Sequence, residues 1–118
     1  MMPGNPENDA VDMEELKEIM DGDMELIQDC FADFVQSYPK DFDDIRNAAV
    51  KKDGPKLDAL AHKLKGTLRY LAAEKAANAA YSLELSGKSN DMKGIEEKLE
   101  TLAHECGKLL EFMRNFKG

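Results

Sequence analysis

Apolar residues recur at every third or fourth position along most of this 118-residue chain, the period of an amphipathic helix. Met13, Leu16, Ile19 and Met20 predict a short helix over about 12–20, which Gly22 stops, and Asp23 suits the N-cap of the next helix. Ile27, Cys30, Phe31, Phe34, Val35, Tyr38, Phe42, Ile45 and Ala49 then form one stripe that passes through Pro39 without losing its phase. The stripe predicts one long helix over 23–52, kinked near Tyr38, with two tightly joined helices as the alternative. Asp53-Gly54 ends it, and Pro55 suits the first turn of a helix that runs to about Leu71 with Leu57, Leu60, Ala61, Leu64 and Leu68 inward. An alanine-rich helix over about 74–86 follows, its inner face made of Ala73, Ala76, Ala77, Ala80 and Leu83, with Gly87 as its stop. Asn90 or Asp91 can cap a last helix, whose stripe is Ile95, Leu99, Leu102, Cys106, Leu109, Leu110, Met113 and Phe116.

No segment alternates with period two, so the expected fold class is all-α. Long amphipathic helices with short connections favour an antiparallel up-and-down four-helix bundle, here with a short additional N-terminal helix. One domain is expected over 12–118, after a loose acidic segment over 1–11 that contains Pro3, Gly4 and Pro6. The 42% hydrophobic content is enough for a modest core, yet no apolar run approaches the roughly 20 residues that span a bilayer. The polar, acidic start does not read as a signal peptide. Cys30 and Cys106 lie far apart among apolar residues, which fits free thiols and a cytoplasmic protein better than a disulfide.

Charge is unevenly spread. The net −8 arises within residues 1–25, which hold nine acidic residues against Lys17. Residues 51–75 are locally basic, with Lys51, Lys52, Lys56, Lys63, Lys65, Arg69 and Lys75 against Asp53, Asp58 and Glu74. Nucleic acid does not suit the overall charge, whereas an acidic pocket on another protein suits this zone.

That zone contains the most informative stretch, Ala61-His62-Lys63-Leu64-Lys65-Gly66. At about 100° per residue, His62, Lys65 and Gly66 share one face, opposite the leucines. Neutral imidazole is a good nucleophile near neutral pH, and a phosphorylated ring gains close to two negative charges. Lys65, one turn away, is the expected phosphoryl-holding cation, and Arg69, two turns away, is a second candidate. Glycine inside a helix costs about 1 kcal/mol relative to alanine, so an exposed Gly66 reads as a cleared approach for a partner's active site. His104 has Gly107 and Lys108 in inverted spacing and no basic zone, and reads as a solvated residue. Neither histidine follows a carboxylate at the spacing of a bundle metal pair, so no metal site is expected.

With Ala61, His62, Leu64, Lys65 and Gly66 in place, Ala73 eleven residues after His62 and Leu83-Glu84 further along, the chain resembles a histidine-containing phosphotransfer (HPt) domain. The resemblance covers roughly residues 20–115. Ala72 stands where the family usually has glycine, and Arg69 and Tyr70 stand where many members have small or amide side chains. It implies a phosphorelay carrier without autonomous catalysis, phosphorylated on His62 and exchanging phosphate with aspartates of receiver domains, in response regulators and hybrid histidine kinases. It implies no cofactor of the chain's own, since the receiver supplies Mg²⁺. No nucleotide-binding motif is present, and a monomer is expected. Lys63 and, from the preceding helix, Phe42 and Ile45 are the expected partner contacts. Two alternatives share the fold: the phosphate-accepting domain of a chemotaxis-type kinase, and an interaction module that transfers nothing. The start at Met1 and a stripe that ends with the chain favour a stand-alone protein over the former.

Overall fold

Every described element is a helix. The computed structural model describes residues 10–116, and five helices account for most of them: α1 Met13–Ile19, α2 Met24–Val50, α3 Gly54–Tyr70, α4 Glu74–Ser89 and α5 Ile95–Arg114. Aspartates start the first three. Asp12, Asp23 and Asp53 each accept a hydrogen bond from the backbone N–H three residues on, which satisfies a donor with no intrahelical partner. The first four helices each end with a residue in the left-handed region (Asp21, Lys52, Ala72 or Asn90, with Gly22 also at positive φ after Asp21) and a backbone bond that closes the last turn. Three of these positions lack the usual glycine or asparagine. Ala72 stands where the resemblance leads one to expect glycine, and an alanine at φ +57° carries about 1–2 kcal/mol of strain.

Helix α2 passes through Pro39 as a single element, as its unbroken stripe predicts. It packs on α3, α3 on α4, α4 on α5, and α5 returns to α2, which closes a ring of four around one core. Ile27, Phe34, Ile45, Leu57, Leu68, Leu83, Leu102 and Leu109 fill that core. Tyr38 and Cys106 share a hydrogen bond within it, and burial pushes the Cys106 thiol up to about 12. Both cysteines are free, Cys106 buried and Cys30 half-buried. No helix among the described residues is long and apolar enough to cross a membrane.

Three expectations need correction. Residues 1–9 of the expected loose segment lie outside the described residues, but Ala10 and Val11 are buried, and the Asp12 N–H donates to the carbonyl of Ala72 at 2.9 Å. The chain is therefore fastened to the end of α3 before α1 begins. Asn90 does not cap the last helix. It ends α4 in the left-handed region, while Gly94 precedes α5. Gly87 does not stop α4 either. It lies inside the helix, where a Cβ would stand 2.5 Å from the Asp58 nitrogen and 2.6 Å from the Gly54 carbonyl oxygen. The missing side chain lets α3 and α4 touch backbone to backbone, and this contact brings the side chains of the two helices within reach of each other.

Candidate functional site

His62 lies in the middle of α3 with about two-thirds of its side chain in water. Its Nδ1 is 3.2 Å from Oε2 of Glu84, which reaches across from α4 one turn before the Gly54–Gly87 contact. Glu84 is only 3% exposed. Burial pushes its carboxyl upward, but the ion pair with Lys65 and the hydrogen bond from His62 outweigh burial and hold it below the ordinary carboxylate range. Glu84 is therefore ionised and can only accept, so Nδ1 carries the ring proton. In the neutral ring Nε2 then holds the free electron pair. One buried carboxylate thus fixes both the tautomer and the orientation of an exposed imidazole.

Lys65 is not where the sequence reading puts it. It is 8% exposed, its Nζ stands 2.7 Å from Oε1 of Glu84, and the Tyr81 ring covers it with its centroid 4.8 Å from Nζ. At 2.7 Å from Oε1 the ammonium makes a close, charge-assisted contact with the carboxylate. The reason is its register: Lys65 falls four residues after Ala61 and three before Leu68, both fully buried, on the flank of α3 that α4 covers. Its ammonium holds Glu84 rather than waiting in solvent for a phosphoryl group.

Gly66 is exposed, and a Cβ built there meets nothing within 4 Å. Lys63 and Arg69 are also exposed, Lys63 next to His62 in the chain and Arg69 two turns away in the last turn of α3, outside the His62 cluster. The expected apolar contacts divide. Ile45 is 1% exposed and belongs to the core, so it offers no surface to a partner. Phe42 is half-buried between the Tyr38 ring and the Arg46 guanidinium. An exposed apolar group beside the site comes instead from α4, as Tyr81 over Lys65, and Leu85, next to Glu84 in the chain, is exposed as well. His104 is exposed on α5 beside Gly107 and Lys108, with no buried carboxylate against it. Among the described residues no cluster of His, Cys, Asp and Glu has the makings of a metal site.

Glu84 and Tyr81 are the site residues that the candidate set leaves out. The signal for Glu84 is present in the sequence. A carboxylate sits in the small-residue stripe Ala76, Ala77, Ala80, Leu83 and Gly87, where helical spacing puts only buried positions.

An exposed imidazole held by a buried carboxylate on a set of packed helices fits the family that the sequence resembles. The family model for the Hpt domain matches residues 29–112, which span most of α2, all of α3 and α4, and nearly all of α5. No curated protein and no solved structure matches the chain. The extent of the family match settles the assignment: the chain belongs to the Hpt domain family, the histidine phosphotransfer modules of phosphorelay signalling.

Proposed function

We propose that His62 is the phosphorylated residue and that the protein exchanges this phosphoryl group with aspartates of receiver domains. The observation that carries the reading is the Nδ1–Glu84 hydrogen bond, which leaves Nε2 as the exposed nucleophile. In the forward step Nε2 attacks the phosphorus of an aspartyl phosphate. The N–P bond forms as the O–P bond breaks, and the bond's electron pair leaves with the receiver's carboxylate. The ring keeps its Nδ1 proton and becomes an imidazolium, whose positive charge faces the Glu84 carboxylate. A buried anion beside a ring that becomes cationic lowers the energy of the step. In the reverse step the electron pair returns to Nε2, and the ring is neutral again.

Each neighbour has a part in this scheme. Lys65 keeps Glu84 ionised despite its burial. Gly66 leaves open the face through which a receiver's aspartate and its Mg²⁺ approach. Tyr81 and Leu85 give the partner an apolar rim, with Lys63 as a cation facing its acidic pocket. The up-and-down arrangement of the four helices is part of the same reading, supported by the closed ring of helix contacts and the short connections. The protein acts as a carrier in this scheme, since the partner supplies the metal and the aspartate.

The test is phosphotransfer from a phosphorylated receiver domain to wild type, His62→Gln, His104→Gln and Glu84→Gln. Label is expected on wild type and His104→Gln and absent from His62→Gln. Glu84→Gln keeps an acceptor for Nδ1–H but loses the counter-charge. A charge-assisted hydrogen bond is worth about 1.5–3 kcal/mol, so its rate should fall by about 10- to 100-fold. Acid-labile label on His62→Gln would refute the assignment.

A further inference from the structure

One cation beside His62 has no part in the scheme above. Lys88 lies on α4, one turn beyond Glu84, and its Nζ is 3.7 Å from Oε2, the oxygen that accepts from His62 Nδ1. The same Nζ is 3.7 Å from Oδ1 of Asp58, which sits on α3 one turn before His62. Neither distance is short enough for a hydrogen bond, and just over half of the Lys88 side chain is in water. A pair this open is worth about 0–1 kcal/mol, so Lys88 is loosely held. Lys65 is the opposite case, buried at 2.7 Å from Glu84, and moving it toward His62 would strand a buried carboxylate. Of the two ammonium groups around Glu84, Lys88 is the one free to move.

A phosphoryl group on Nε2 changes the competition for this cation. It brings about two negative charges and three strong acceptor oxygens within a turn of Asp58, whose carboxylate repels them. Lys88 can relieve that repulsion by leaving Asp58 for the phosphoryl oxygens. Resting on the assignment of His62 as the phosphoryl carrier, we propose that Lys88 is the cation that holds the phosphoryl group and that Asp58 competes for it. The Asp58–Lys88 pair thereby sets the lifetime of the phosphohistidine.

Loss of the group is hydrolysis. The oxygen of a water bonds to phosphorus as the N–P bond breaks. The bond's electron pair returns to Nε2 and neutralises the ring, and both water protons leave with the phosphate as H₂PO₄⁻. The transition state is loose and metaphosphate-like, with less charge on the transferred oxygens than in the ground state. An ammonium on those oxygens therefore favours the ground state and slows the loss. A carboxylate that draws the ammonium away has the reverse effect.

The experiment uses the full chain and phosphoramidate, a small donor that needs no partner protein. Wild type, Lys88→Gln, Asp58→Asn and the double variant are phosphorylated and freed of donor, and the phosphohistidine signal is followed by phosphorus-31 NMR. Circular dichroism checks the fold of each. Loss of one charge-assisted contact should shorten the half-life of Lys88→Gln by about tenfold. Asp58→Asn should lengthen it, and the double variant should decay like Lys88→Gln. A Lys88→Gln half-life equal to that of wild type overturns the proposal. So does an Asp58→Asn effect that persists in the Lys88→Gln background, since Asp58 would then act by repulsion alone. A wild-type chain that takes up no phosphoryl group at His62 refutes the carrier assignment itself, and this proposal with it.

Discussion

Lys65→Met removes the ammonium from the buried pair and keeps most of the stem, so it isolates the electrostatic role of Lys65. Glu84 would stay at 3% exposure with its direct cation gone. Breaking a buried ion pair from one side typically costs about 3–5 kcal/mol. The remaining hydrogen bond from His62 and the Lys88 ammonium at 3.7 Å place this case at the lower end, about 3 kcal/mol. For a chain of this size that loss lowers Tm by about 12 °C. The pH dependence is more diagnostic. In wild type the Glu84 pKa is depressed, so its stabilising contribution is present above the unfolded carboxylate pKa. That contribution disappears as pH falls through the folded value. In Lys65→Met burial dominates and raises the Glu84 pKa instead. The penalty is then largest at neutral pH and is relieved as acid protonates the carboxyl. Urea unfolding of both proteins at pH 7 and at about pH 4 measures this, and the gap between them should shrink in acid. Glu84→Gln placed in the Lys65→Met background removes the stranded charge and should recover much of the loss at pH 7. A Lys65→Met penalty below about 1 kcal/mol at neutral pH, or one independent of pH, would refute the buried-pair account.

Two glycines should respond in opposite ways. The Cβ of Gly66→Gln meets nothing within 4 Å and the change replaces a poor helix former, so Tm should hold or rise slightly while transfer from a receiver falls. A variant that transfers normally would show that the open face is not the route of approach. Gly87→Ala drives a methyl against the backbone of α3, which has no rotamer with which to yield. Thermal unfolding should show a loss of about 1–3 kcal/mol, and an unchanged Tm would mean that the two helices separate freely.

The apolar period made the helices legible because each must bury one stripe whatever surrounds it. The Asp23 cap was legible for a similar reason, since a short acceptor before a stripe has a local role, whereas Asp12 went unread as a cap and Asp53 read as the end of α2. What escaped depends on a second helix. Lys65 lies about 60° around α3 from His62, and period alone makes it a neighbour on the same face. Only the approach of α4 shows that the boundary between wet and dry runs between them. Ile45 looked available because nothing in its own stripe tells which core residues reach an edge. Gly87 has the local signature of a helix stop, and its role as a contact surface appears only against Gly54 and Asp58. Ala10 and Val11 look like tail, but the left-handed Ala72 presents a carbonyl that pairs with the next N–H, at Asp12.

The most direct test is the identity of the ring nitrogen that carries the phosphoryl group. Wild type is labelled with nitrogen-15 at histidine and phosphorylated, and the phosphorus–nitrogen coupling is read by NMR. With Nδ1–H engaged by Glu84, the coupling should be to Nε2 of His62, with the Nδ1 proton still present. Phosphorus on Nδ1, or on either nitrogen of His104, would contradict the account, because the buried carboxylate would then direct nothing.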